Sequence, residues 1–474
     1  QGHFEFNASN LSSKVSPDEV TNGEGDGGIY VAPASDKTGS SGAWVRLYNS
    51  FVSVLWYGAV GDGQTDDTSA VQSALDYVSN FSGTVTFPQG EFKITQTITL
   101  DVTNKTSLGN AYKPGIEGAG SGLTTLIHST GSNTPLMEIL GAQSGTAAQF
   151  HNTVKGIHFR GSARVGTGLF LDTLSFASFD DLLFTQLNNG IDATGVISSR
   201  FYDCRSRFNN YGFTFDKSTF APNAIDFYGC HAAENYEYGM FIKLGHTVSM
   251  FGGSIEANGR NGSNNNRFGL RMNGPDIGGG VALSLYGVHF EGNANDADLW
   301  LVQGAANSSY LISGCDFNRT SGNAGDFSEH QLRVNQNSTG TGLMTINVSG
   351  CTFENFNNYT DDPNREHIKF FTFGEYLFSD DNNYYGSNTE RPNEPSNVVH
   401  AKGNFNGSLS SPNPRQSHNI SSVVKNSTGS YTVNFIVPYP NNTPVVIPSV
   451  TGAAGIAATT NRGSTSATIK SFDV

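Results

Sequence analysis

Read by polarity, the chain changes period along its length. Behind Asp66-Asp67, a pair suited to N-capping, Ala70, Val71, Ala74, Leu75 and Val78 recur at helical spacing. This predicts an amphipathic helix over about 67–80. Gly83-Thr-Val-Thr-Phe then alternates as a strand and runs into a turn. Further on, the alternation becomes a repeat. Segments starting at Gly156, Asp181, Asp203, Gly229, Gly252, Gly287, Gly314 and Gly350 follow one another at 25, 22, 26, 23, 35, 27 and 36 residues. Counting the first residue as position 0, positions 1 and 3 are apolar or small, as in Ile157/Phe159, Val288/Phe290 and Cys351/Phe353, while 2 and 4 are polar or mixed. Period two puts 1 and 3 inside and 2 and 4 outside. A self-similar unit of this size is one coil of a solenoid, and the longer intervals carry loop insertions. The expected fold is therefore all-β, a parallel β-helix of three sheets.

Two positions reinforce this reading. Cys204, Cys230, Cys315 and Cys351 all fall at position 1 and are expected to be a buried, reduced column. Asn209, Asn235, Asn258 and Asn293 all fall at position 6, where an in-register asparagine ladder can satisfy turn backbone.

Composition agrees. Charged residues are 14% of 474, and 56 are glycine, a balance that suits strands and turns rather than helical bundles. A length prior of about three domains overcounts for a solenoid. The net charge of −14 argues against a nucleic-acid binder, and no apolar run is long enough for a membrane helix. Four cysteines make no disulfide framework. The chain starts at Gln1 rather than Met, and we read it as trimmed, with its natural N-terminus missing. The expected organisation is a polar lead-in over 1–50, a capping helix and first coil over 51–100, and the β-helix over 101–375. An irregular linker over 376–420 and a small C-terminal β-domain over 421–474 follow.

The stretch Gly61-Asp-Gly-Gln-Thr-Asp-Asp-Thr, followed by the helix, resembles the opening of the pectate-lyase-like right-handed β-helix family, where such a helix plugs the first coil. Gly42-Ala-Trp-Val-Arg upstream resembles the lead-in of bacteriophage tailspikes and tail-fibre depolymerases. The resemblance implies a homotrimer in the virion tail. It would bind bacterial surface polysaccharide (capsule or O-antigen) and join the rest of the tail through the missing N-terminal region. It also implies glycosidic hydrolysis by paired carboxylates. A polysaccharide lyase on the same fold and a non-catalytic adhesin or fibre are the alternatives, and fold alone does not choose among them.

The chemistry is expected in the outward columns. Position 4 carries Arg207, Glu256, Glu291 and Asn318, and position 2 carries Arg205, His231 and His289. Parallel strands lie about 4.8 Å apart, so Glu256 and Glu291 would be adjacent like charges, an arrangement that separates an acid from a base. Glu234, at position 5 of the preceding coil, is the expected third catalytic carboxylate. His231, His289, Arg205, Arg207, Asn318 and the rings Tyr236, Tyr238 and Trp300 are the expected substrate contacts, with Tyr211 and Phe268 as further platforms. Insertions at about 259–267, 274–281 and 319–330 would wall the groove. Asp180-Asp181 and Asp361-Asp362 lack a spaced oxygen-ligand pattern, so neither metal nor cofactor is expected.

Overall fold

In the computed structural model, the described residues are 2–15, 28–103, 114–141, 148–149, 153–216, 220–260, 267–274, 281–304, 306–319, 328–336, 344–355, 368–370, 375–378, 382–385, 402–405, 414–418, 420–427, 430–435, 455–462 and 466–473. The repeat positions explain how the chain coils. Position 0 has a left-handed backbone in every coil, with φ between 48° and 70° from Gly156 to Gly350. Only Gly, or Asp with its short polar side chain, adopts this region cheaply, and those are the two residue types found there. Each such residue turns the chain from a first face, with strands such as Arg200–Tyr202 and Ile225–Tyr228, into a second, with Arg205–Arg207 and His231–Ala233. We call the two the first and second sheets, although longer strands such as Ser178–Thr185 join them into one of 22 strands among the described residues. A second left-handed stack stands at position 5, at Gln186, Phe208, Glu234, Ala257 and Gly292, and leads toward a third sheet.

Among the described residues the third sheet contains ten parallel strands, from Ile98–Asp101 through Asn189–Thr194, Tyr211–Asp216 and Tyr238–Ile242 to Ile368–Phe370. Inside the coils, rings stack in register. Phe179, Phe201 and Phe227 lie 4.7 and 5.0 Å apart, and Phe290, Phe317 and Phe353 are 4.7 Å apart at each step. The asparagine ladder forms as read. Asn209, Asn235 and Asn258 each donate from Nδ2 to Oδ1 of the next, at 3.2, 2.9 and 2.8 Å, and Asn293 ends the run on Oδ1 of Asp298. All four cysteines are free and buried.

The capping helix is Thr68–Phe81, and its buried face includes Ala70, Val71, Ala74, Leu75 and Val78. The acidic pair before it divides its work. Asp66 accepts from the Thr68 amide and hydroxyl, whereas Asp67 accepts from the amides of Val60 and Gly61. The glycine-rich motif is thus braced, and its Asp62–Asp66 run is a short irregular strand beside Gly90–Ile94.

The described residues of 1–50 carry strands of their own. Phe4–Asn7, Tyr30–Val31 and Ala43–Arg46 form an antiparallel sheet. Arg46, 7% exposed, donates from Nε to Gly28 O and lies over the rings of Phe4 and Trp56. This contact joins residues too far apart for local patterning to show.

The chain divides into two compact units, and the second comprises Thr372–Leu377 and Asn393–Val474. Within it, Ile420–Ser427, Ser430–Phe435, Ser466–Asp473 and Gly455–Arg462 form an antiparallel sheet in that order. The Gly-rich run at 23–27, most of 376–420 and the apolar run at 444–450 fall outside the described residues.

Candidate active site

On the second sheet the expected columns hold residue for residue. Arg205, His231, Ser254, His289 and Asp316 are register partners in turn, and so are Arg207, Ala233, Glu256, Glu291 and Asn318. The alternate residues Ser206, Ala232, Ile255, Phe290 and Phe317 are buried. Glu256 and Glu291 are therefore neighbours on successive strands, as expected.

The electrostatic centre of this cluster is His289. Its Nε2 lies 3.1 Å from Glu291 Oε2, and its Nδ1 lies 3.0 Å from Asp316 Oδ2. Partial burial disfavours the charged ring. The Glu291 hydrogen bond, with the charges of Asp316 and Glu256, outweighs burial and raises the pKa above the usual histidine value. The Glu256 side chain makes no hydrogen bond or ion pair among the described residues, and Asn318 Oδ1 is buried without a partner among them.

The flanking residues are more committed than their spacing suggested. Glu234 stands at the left-handed corner and pairs with Arg207 at 2.5 Å. Its amide donates to Glu256 O, so it borders the pair, with its carboxylate engaged by arginine. Arg205 Nη2 donates to Asp181 Oδ1 at 2.6 Å and to Ser121 Oγ at 2.8 Å. It ties the 119–123 turn to the coil as an ion-paired surface group that is still part-exposed. Asp181 is used in the same network. His231 Nδ1 meets Ser254 Oγ at 2.9 Å. Asp361-Asp362 and the insertions at 261–266, 275–280 and 320–327 fall outside the described residues.

The expected aromatic platforms are placed elsewhere. Tyr211, Tyr238, Phe268 and Trp300 belong to the third sheet. Tyr238, 7% exposed, lies between Tyr211 at 4.7 Å and Phe268 at 5.0 Å. Trp300 lies between the guanidinium groups of Arg271 and Arg333, at 4.0 and 4.2 Å, and donates from Nε1 to Asn335. Neither ring has a face free for a sugar, because neighbouring coils have already covered both. Tyr236, at the corner, carries Arg164 over its ring at 3.9 Å.

The same sheet holds a cavity of about 420 Å³ that sequence reasoning missed, lined by Asn189, Asp192, Tyr211, Thr214, Tyr238, Phe241 and Lys243. A signal for it was present. Asn189-Gly-Ile-Asp-Ala-Thr, Tyr211-Gly-Phe-Thr-Phe-Asp and Tyr238-Gly-Met-Phe-Ile-Lys form a second repeat with outward polar or aromatic positions. Its glycines are required because a Cβ on Gly212 would approach Gly239 O to 2.1 Å.

Fold and site together describe a parallel β-helix with titratable columns on its outer face. Residues 51–240 match the family model described as rhamnogalacturonase A/epimerase, pectate lyase-like. No curated protein matches the chain in sequence. Among solved structures, the chain is similar to the enzymatically active domain of tailspike protein 2 from bacteriophage CBA120. The identity is 12% and the TM-score 0.56, covering 96% of this chain and 66% of that one. It is also similar to the full-length tailspike protein 2 from an Escherichia coli O157:H7 bacteriophage, at 11% identity and TM-score 0.57, covering 96% and 59%. A third is the gp42 tailspike of Acinetobacter phage vb_AbaP_AS12, at 12% identity and TM-score 0.50, covering 93% and 74%. The chain thus spans about two thirds or less of the two CBA120-type structures, and what it shares with all three is the fold.

Proposed function

We propose that this protein is a tailspike-type depolymerase of the virion tail that binds bacterial capsule or O-antigen and hydrolyses its glycosidic bonds. The observation that carries the reading is the outward column in which Glu256 and Glu291 are register partners beside His289. Two carboxylates flanking a glycosidic bond are sufficient for hydrolysis. Glu256 gives its proton to the leaving oxygen. Glu291, positioned by His289, attacks the anomeric carbon or takes a proton from the attacking water. Glu234 and Arg207 border the pair, and His231 and Asn318 extend the polar surface along the coils for substrate. Similarity to tailspikes supports the polysaccharide target, and the pectate-lyase-like family model keeps elimination as the second reading.

The test uses host polysaccharide and the full chain. Glu256→Gln and Glu291→Gln should each lower turnover at least a hundredfold while preserving folding and polymer binding. Hydrolysis makes products heavier by one water per bond cut, whereas elimination adds no mass and leaves an ultraviolet-absorbing double bond. Near-normal activity in both variants would move the catalytic centre elsewhere, and inertness of the parent chain toward every host polysaccharide would favour an adhesin.

A further inference from the structure

The third-sheet cavity lies on a different sheet from the carboxylate column and has its own chemistry. Along its floor Asp192, Thr214 and Phe241 are register partners, and along one side Asn189, Tyr211 and Tyr238 are. Tyr211 is half-buried, and Tyr238 is its one stacking partner among the described residues. Apolar ring surface beside hydroxyl, amide and carboxyl groups, in about 420 Å³, suits a small hydroxylated ring, and ligand pockets run from roughly 300 Å³ upward.

The charges narrow the ligand. Lys243 is the cation among the lining residues, and its ammonium is 3.0 Å from Asp216 Oδ2. Asp192 touches Asn189 Nδ2 only at 3.5 Å, the limit of a hydrogen bond. Burial raises its pKa, Lys243 lowers it and Asp216 raises it, with a net upward shift. A ligand carboxylate would find the ammonium taken and a second acid beside it. A sugar hydroxyl or N-acyl group would supply Asp192 with a closer partner than Asn189.

We propose that this cavity is a second carbohydrate site, separate from the carboxylate column, that binds a neutral or N-acylated pyranose in preference to a uronate, with Tyr211 as platform and Asp192 as polar anchor. It rests on the polysaccharide reading only for the source of the glycan, and it is tested by binding rather than turnover. The full chain is titrated calorimetrically, and its crystals soaked, with glucose, galactose, mannose, rhamnose, N-acetylglucosamine, N-acetylgalactosamine, glucuronate and galacturonate. At least one neutral or N-acetylated sugar should bind in the cavity, at least tenfold more tightly than either uronate. Tyr211→Ala and the near-isosteric Asp192→Asn should each weaken it at least tenfold, with circular dichroism confirming the fold. Glu256→Gln should bind as the parent does. No sugar in the cavity, a uronate preferred, or unchanged affinity in both cavity variants would overturn the proposal. Unimpaired hydrolysis by Glu256→Gln and Glu291→Gln would instead overturn the assignment on the second sheet.

Discussion

His158 and His289 stand in one outward column yet titrate in opposite directions. Burial and then Arg160 push His158 down to about 4, while carboxylates on three strands hold His289 up. A histidine with a raised folded pKa contributes stability that is fully present below its unfolded value of about 6.5 and lost as pH rises through the folded value. The stability lost in His289→Asn should therefore be largest near pH 5 and shrink toward pH 8.5, as urea denaturation across that range will show. A difference constant with pH would contradict the contacts drawn here. His158 has the opposite slope. Between about 6.5 and 4 the unfolded chain takes up a proton that the folded ring resists, so its contribution falls as pH falls. The cysteines give a second residue-scale test. All four are buried, and burial raises the Cys204 thiol first, with Cys230 adding to it. Native protein should resist a thiol reagent that labels four sites after unfolding. Rapid native labelling would break the assigned register. The column positions of these residues were legible, because period two fixes which side chains face out. The partners of Arg205 were not, since Ser121 lies 84 residues away.

At the scale of elements, the asparagine ladder ties coil to coil through buried polar groups. Asn258 donates to Ala232 O and Asn293 Oδ1 and accepts from the amide and side chain of Asn235. Asn258→Ala would leave several of these groups buried and unpaired, at a cost of roughly 3 kcal/mol. Chemical denaturation should show it, and a loss below about 1 kcal/mol, the net worth of one ordinary hydrogen bond, would mean that water replaces the amide. The ladder was visible in sequence because its members share one position in successive repeats. The third sheet was less visible. Its strands repeat in a different part of each coil, and Tyr238 and Trp300 were read as exposed platforms when neighbouring coils cover their faces. Covering of that kind depends on which rings stack, and period alone does not say.

For the whole molecule, the first sheet presents Tyr202, Tyr228, Phe251 and Tyr286 as a stack with steps of 5.0, 5.0 and 5.1 Å. Phe251 and Tyr286 are exposed on it. An apolar strip of this kind favours a covering partner, and with the tailspike resemblance we expect a homotrimer. Light scattering at micromolar concentration should give three times the chain mass, and Phe251→Glu should reduce it. A monomeric parent chain would overturn this. The sequence alone determined that the chain coils, where each coil turns, which residues face in and which carboxylates become neighbours. Parallel stacking explains this reach, since one repeat position becomes one column. Only the tertiary structure decided which outward groups remain available for chemistry. Arg205 is used by Asp181, Arg207 by Glu234 and Trp300 by two arginines, whereas Asp192 opens into a cavity. Those outcomes depend on side-chain reach between coils and across corners, which repeat spacing does not encode.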